Sequence, residues 1–506
     1  MKERKRTSKW MLLGVVMIVL AIVALTGCSG NKGEEGNSPA PVVNNSTTTP
    51  KEDAGKVDPK EELEPVDLIW YMRGDEPANA ASVMAEVNKL LNEKINATLE
   101  MRFISPGDYE SKMQLVMSSS EVYDLAFTSN WTNNFLNNVS RGAYLPLNDL
   151  LELAPDVKTL FQPDIWGAVS TGGKIYGVPN NQIMGDTSGM WFKKDLVDKY
   201  SLDVKNVKSL AELTPIFETI KKNEPDVIPL RQGELTWFAK FSPEVTLVEG
   251  YSVDTNTWRV WDGAEDLTDT YKILREWNQK GFFPQDVATL KDENSLIKAG
   301  KIFSRYARPK PGLEAELKAS HGFEFITTQT GTMTIGAGSV TSTISAISAT
   351  SKNPERAMML LNLVNTDKEL YNMLVFGLEG QDYTKVGDNR IEPKEGSYAL
   401  PGWLLGNVFN SYLLPGQADD VWEQTKKLND ESIVSPLINF TFDRTPVENE
   451  MAQISAVRAE FDPILKNGMD DPDKIFKQRQ EKLKTAGQDK VIKEIEKQLA
   501  AWQAAR

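Results

Sequence analysis

The chain predicts an α/β fold built on parallel strands and held at the end of a tether. Three observations predict it. From residue 66, short segments of alternating apolar residues are interleaved with segments of helical period, in the order βαβαβ. That order calls for parallel strands joined by crossover helices. Before residue 66 the composition is different, an apolar run followed by a polar, proline-containing stretch. The chain also has a single cysteine, Cys28, just after the apolar run.

The elements follow in order. Val66-Asp67-Leu68-Ile69-Trp70-Tyr71 reads as the first strand. Ala80 to Lys94 reads as a helix with Val83, Val87, Leu90 and Leu91 on one stripe. Ala97 to Phe103, with Leu99, Met101 and Phe103 alternating, is a second strand, and Tyr109 to Ser119 a second helix. Tyr123 to Phe127 closes the unit as a third strand. Ligands of such sheets sit beyond the carboxyl ends of the strands. Two loops fall there, Met72 to Glu76 and Thr128 to Trp131. Gly172-Gly173 between extended segments reads as a hairpin turn. Further on, Asn353 and Pro354 start a helix with Ala357, Leu360, Leu361 and Val364 on its apolar face. A second helix starts at Thr366 or Asp367 and ends at Gly377. Residues 418–504 read as mostly helical and charged, with one break at Asn467-Gly468.

The amino-terminal stretch has the parts of an export signal. Lys2, Arg4, Lys5, Arg6 and Lys9 form a basic head, and Trp10 to Gly27 carries no charge. The apolar run is short for a membrane span, which needs about 20 residues. Leu25-Thr26-Gly27-Cys28 resembles the bacterial lipobox, in which the cysteine sulfur takes a diacylglycerol and the peptide is cut before it. Two or three acyl chains suffice for stable anchoring where one is marginal. Residues 29–65 are rich in Gly, Asn, Ser, Thr and Pro and have little to bury, so they read as a disordered tether.

Composition bounds the function. Apolar residues are 40% and charged residues 25% of the 506, which suits a globular body. Without residues 1–27 the chain has 52 basic and 70 acidic residues, a net −18. A nucleic-acid partner calls for a basic face, and this balance speaks against one. One cysteine allows no internal disulfide, so the body relies on its core. Gly167 to Lys174 is only superficially like a phosphate loop, because a second glycine intervenes before the lysine. No calcium loop of spaced aspartates and no zinc pair of histidines is present, and no cofactor is expected. His321, the one histidine, lies among polar residues and reads as a surface residue.

Four stretches carry a family resemblance: "YGVPN" after the Gly-Gly-Lys hairpin, "MWFKKDL", "SATSKNPERAMMLLNLV" and "LVFGLEGQDY". They resemble the family 1 extracellular solute-binding proteins of ABC importers, and among these the LipO-type Gram-positive lipoproteins with an extra carboxyl-terminal region. The resemblance runs from about residue 66 to about 500. It implies a type II periplasmic-binding-protein-like fold: two α/β lobes joined by a hinge, a ligand cleft between them, and a helical carboxyl-terminal region. It implies crossings between lobes near Tyr176–Asn181 and Gly336–Ser342. The expected organisation is a signal peptide over 1–27, a tether over 28–65, and a first lobe over 66–179 and 336–384. The second lobe takes 180–335, and 385–506 holds its remainder and the carboxyl-terminal helices. The implied function is capture of a carbohydrate, an oligosaccharide, for delivery to the permease subunits of an importer. The protein would act as a monomer on the outer face of the cell membrane.

The same resemblance points at cleft residues by context: Arg73 and Asp75 after the first strand, and Asn130 and Trp131 after the third. Trp237 and Tyr306 fall in the second lobe, and Trp403 and Asn407 in "LPGWLLGNVFNSY". A sugar has an apolar C–H face and a hydroxyl edge, which rings and amides or charged groups match. Each residue has a second reading. Trp131 and Trp403 sit among Asn, Gly and Pro and serve equally as cleft or packing residues. Asp75 serves equally as a cap for the next helix. Trp70, Trp166, Trp258, Trp261, Trp277 and Trp422 lie in apolar or amphipathic stretches and read as core. Two alternatives remain at this level. One is an anchored glycosidase, which needs only two carboxylates. The other is a sugar-sensing receptor without an importer.

Overall fold

A computed structural model describes residues 63–233, 245–288, 290 and 293–505. The export signal, Cys28, the tether as far as residue 62 and Trp237 lie outside the described residues. Strand β1 (Val66–Arg73), helix α1 (Ala80–Ile95), strand β2 (Ala97–Ile104), helix α2 (Tyr109–Ser118) and strand β3 (Leu125–Thr128) follow one another as the pattern predicts. β1 pairs in parallel with β2 and with β3. α1 buries Val83, Val87, Leu91 and Ile95 at helical spacing. It ends on Asn96 in the left-handed region, φ 46°, a conformation asparagine tolerates.

The sheet is mixed, not wholly parallel. Its order is β2, β1, β3, then the strand Ile344–Ile347 and the strand Val178–Pro179. Ile344–Ile347 runs antiparallel to both neighbours. These two strands come from stretches whose partners are far away in sequence, so no local signal sets their direction. Asp124 fixes β3 beside β1: its carboxylate accepts from the Ile69 N–H at 2.9 Å and the Ser351 hydroxyl at 2.6 Å. The helices Pro354–Thr366 and Lys368–Phe376 lay Leu360, Leu361, Val364, Leu370 and Leu374 into the same core. Asp367 caps the second, its carboxylate accepting from the Leu370 N–H at 3.0 Å.

A second sheet orders the strands Phe325–Gln329, Gly189–Lys193, Ile302–Ala307 and Ile228–Leu230. Its core holds Met190, Phe192, Phe217, Leu230, Trp277 and Phe303. A third, antiparallel sheet holds Val245–Val248, Tyr251–Asp254 and Val260–Asp262.

Chain passes between the first two sheets in three places. Residues 180–188 leave Val178–Pro179 for Gly189–Lys193. Thr334–Ile335 and the turn of helix Ala337–Val340 lead back to Ile344–Ile347. Ile433–Val434 pairs in parallel with Thr334–Ile335. Asn429 ties the passages together. Its Oδ1 accepts from the Met184 and Gly185 N–H groups at 2.8 and 3.1 Å, and its Nδ2 donates to the Gln182 carbonyl at 2.8 Å.

Two expectations change here. Tyr398, Leu400, Leu404 and Leu405 pack into the first core, so the stretch after 384 returns to the first sheet before leaving it. The region 418–504 is also more broken than its charge pattern suggests. Helix Val421–Glu431 gives way to a strand and an irregular stretch before helices Glu448–Lys466, Pro472–Thr485 and Gln488–Ala504.

Candidate functional site

The carboxyl ends of β1 and β3 present three aromatic rings and one guanidinium. Phe127, fully buried in β3, forms the floor. The Trp131 ring lies 6.1 Å from it and the Trp403 ring 6.0 Å, and the two indoles are 6.3 Å apart. Arg73, the last residue of β1, holds its guanidinium 4.8 Å from the Trp131 ring centroid. Its Nε is buried and has no hydrogen-bond partner. Trp131 is 50% exposed. A half-exposed indole beside the partly exposed Arg73 offers a flat apolar face and a polar contact within one small area.

The loop carrying Trp131 is held from below by a polar network. Asn133 takes the left-handed conformation, φ 45°. Its Nδ2 donates to the Phe127 carbonyl at 2.9 Å, and its Oδ1 accepts from Asn138 at 2.8 Å. The Glu110 carboxylate accepts from the Asn133 N–H. Buried Tyr109 donates to the Phe127 carbonyl at 2.7 Å, and burial pushes its hydroxyl pKa well up, so it stays a donor. A loop braced in this way holds its ring in place before any ligand arrives.

The same loop is bonded to the second passage between sheets. The Trp131 indole N–H donates to the Ser342 carbonyl at 2.8 Å. Asn130 donates its side-chain amide to the Gly338 carbonyl at 2.7 Å and its backbone N–H to the Thr341 carbonyl at 2.9 Å. Asn180, in the first passage, donates to the Trp403 carbonyl at 3.1 Å and accepts from Ser345 at 3.1 Å.

The structure thus brings Arg73, Asn130, Trp131 and Trp403 to one place. Trp403 is a supporting ring as much as a surface one, being partly buried against the first core. Asn407 does not belong with them. It is 7% exposed, its Nδ2 donates to the Asn365 carbonyl at 3.0 Å and its Oδ1 accepts from the Phe409 N–H at 3.1 Å. Its amide holds a tight loop in which Gly406, φ 58°, leaves no room for a side chain against Val364. Asp75 is exposed and does not cap α1, whose flanking residue is Asn79. Tyr306 lies in the strand Ile302–Ala307, partly buried against the second core. Arg308, two residues on, pairs with Asp186 of the first passage, Nε to Oδ1 3.3 Å. Burial raises the Asp186 pKa, and Arg308 offsets only part of that. Among the described residues no cluster of His, Cys, Asp and Glu is arranged to hold a metal, and no helix is long and apolar enough to cross a membrane.

Residues 74–369 match the family described as bacterial extracellular solute-binding protein. The chain belongs to this family. Residues 436–504 match a domain of unknown function, DUF3502. A curated relative of this solute-binding protein, the carbohydrate ABC transporter substrate-binding protein of Streptococcus pneumoniae serotype 4, is 31% identical over 449 residues. That match covers 85% of this chain and 90% of the relative. Among solved structures, the N-glycan transport solute-binding protein NgtS of S. pneumoniae superposes with a TM-score of 0.78 at 29% identity. That superposition covers 86% of this chain and 98% of NgtS. NgtS in complex with Man5GlcNAc superposes with a TM-score of 0.71 at 28% identity, over 88% of this chain and 99% of that one. The fold of this solute-binding protein is the type II periplasmic-binding-protein-like one, two α/β lobes with a hinge and a cleft between them.

Proposed function

We propose that the protein captures an oligosaccharide in the cleft between its lobes and delivers it to the permease of an ABC importer. The observation that carries the reading is the half-exposed Trp131 beside Trp403 and Arg73, at the carboxyl ends of β1 and β3 and next to the passages between sheets. A pyranose stacks its C–H face on the indole and offers hydroxyls to Arg73. Kinship with a carbohydrate importer component and with NgtS supports the same ligand class. We further propose that a diacylglycerol on Cys28 anchors the protein outside the cell membrane and that residues 28–65 act as the tether. The protein binds its ligand without transforming it. The test is a thermal-shift and calorimetric screen of residues 63–506 against neutral and acidic oligosaccharides, mannose–N-acetylglucosamine glycans included. A ligand at a hundred times its dissociation constant stabilises by about 2.7 kcal/mol. A flat response across the panel refutes the reading, and release of hydrolysed sugar refutes the absence of catalysis.

A further inference from the structure

The carboxyl-terminal region is bound to the second lobe from within. Helices Glu448–Lys466 and Pro472–Thr485 put Phe461, Leu465 and Ile475 into the second core. Ile454, Leu483, Val491, Ile495 and Leu499 share a third core with Val248, Tyr251 and Val253 of the antiparallel sheet. Arg479, 2% exposed, pairs with the buried Asp262 and with Asp462, the latter through Nε at 2.8 Å. Sheet and helices therefore move as one body.

The chain enters this body through the segment 436–442, just after the third passage between lobes. Leu437, Phe440 and Phe442 face the third core, while Ile438, 4% exposed, packs into the first. Asn439, between them, sits on the helix Pro163–Ala168, which carries Ile165, Trp166 and Ala168 of the first core. Its Nδ2 donates to Asp164 Oδ1 at 3.1 Å. Its Oδ1 is buried and accepts no hydrogen bond. Gly167 lies directly beneath, and a Cβ there would overlap the Asn439 carboxamide. The contact joins the two sides of the hinge through residues outside the sugar site.

We propose that the carboxyl-terminal region braces the hinge, and that the seat of Asn439 on Gly167 sets how the lobes stand before ligand arrives. The proposal rests on the reading of the protein as a two-lobed sugar binder. Passages of a few residues leave a hinge soft. A second contact that is made well in one orientation of the lobes biases their equilibrium toward it. Apparent affinity then scales with the fraction of molecules in the binding-competent orientation. The buried, unpaired Oδ1 beside a single hydrogen bond makes the seat easy to release.

The test uses Gly167→Ala, Asn439→Ala and the double variant in the full chain, with Man5GlcNAc as the probe. Small-angle scattering is recorded without and with saturating probe, and the dissociation constant is measured by calorimetry. Each single variant is expected to change the ligand-free radius of gyration and shift the dissociation constant by at least about fivefold. A wider ligand-free form goes with weaker binding and a narrower one with tighter binding. The saturated form should keep the parent dimensions. The double variant should lie nearer the parent than Gly167→Ala does, because the methyl added at position 167 then occupies the space the carboxamide leaves. Should Gly167→Ala fail to fold, Asn439→Ala carries the test. Parent-like scattering and affinity in Asn439→Ala, even with a lowered melting temperature, would reduce the seat to a packing contact and overturn the proposal. A parent that does not bind the probe counts against the sugar reading instead, and the ligand-free scattering still decides on the brace.

Discussion

Replacing Trp131 by Ala separates the sugar-binding reading from a structural one. Trp131 is 50% exposed. A free tryptophan side chain presents roughly 250 Å², so roughly 125 Å² faces solvent here. A pyranose that covers about half of this removes roughly 60 Å² of ring from water. At roughly 25 cal/mol per Å² that is about 1.5 kcal/mol, or about tenfold in affinity. The sugar face buries a comparable area, so tenfold is the lower bound. Losing the buried half of the ring and the N–H bond to Ser342 destabilises the fold by about 2 kcal/mol, roughly half the cost of emptying a full aromatic site. Trp403→Ala should show a different balance. Its ring is packed against the first core and against Phe127, so a larger fall in melting temperature is expected alongside any loss of affinity. Titration calorimetry and melting of both variants give the comparison. Unchanged affinity in Trp131→Ala would show that the exposed indole is not a stacking surface.

Three other outcomes follow from the structure and sequence. Arg479→Met leaves the buried Asp262 carboxylate without its cation, held only by the Gln480 amide and the Ala264 N–H, and a loss of about 3–5 kcal/mol is expected in denaturant unfolding; a loss under about 1 kcal/mol would refute the role of the pair. Burial holds the Asp186 carboxyl above its ordinary value, so the folded state favours its protonated form and ionisation works against folding as pH rises from about 4. Asp186→Asn should therefore lose less stability than the parent as pH rises above about 4, and parallel dependences of stability on pH would count against the argument. Cys28→Ser should abolish fatty-acid labelling and leave the precursor uncleaved in the producing cell, and normal labelling would remove the anchor.

What the sequence made legible was local. The βαβαβ run came through with boundaries within a residue or two, because its apolar positions repeat at 2 and 3.6 and because caps such as Asp367 act on their own helix. The loops after β1 and β3 could be named as candidates because strand ends are where α/β sheets bind ligands, and the structure brings Arg73 and Trp131 from these loops together. What stayed hidden was bonding over long separations. Asn180 and Asn429 reach partners more than 160 positions away, and Ser342 meets Trp131 across 211. An asparagine that ties two passages together has no neighbour in sequence that announces it. Asn407 shows the converse error: a polar residue beside Gly and Trp looks like a ligand contact until its amide is seen closing its own loop.

The site and the hinge share atoms, and this has a consequence for how ligand causes closure. The Trp131 ring is exposed toward solvent, yet its N–H and the Asn130 amide are bonded to the carbonyls of Ser342 and Gly338 in the second passage. Asn180 connects the Trp403 loop to the first passage in the same way. A sugar that settles on the indole therefore presses on a loop whose other side is fixed to the hinge. A ligand shifts a conformational equilibrium only by the difference in its affinity for the two forms. A loop braced by Asn133 and Glu110 supplies little of that difference by moving within its own lobe. The difference has to come from groups on the second lobe that meet the sugar once the passages turn. Sugar contacts on the first lobe should then set capture, and contacts on the second should set closure. Trp131→Ala removes the bond to Ser342 together with the stacking face, so weaker binding is expected alongside a changed ligand-free scattering profile. The ligand-saturated profile, set by the second-lobe contacts, should match the parent; a changed saturated profile would refute this division of roles.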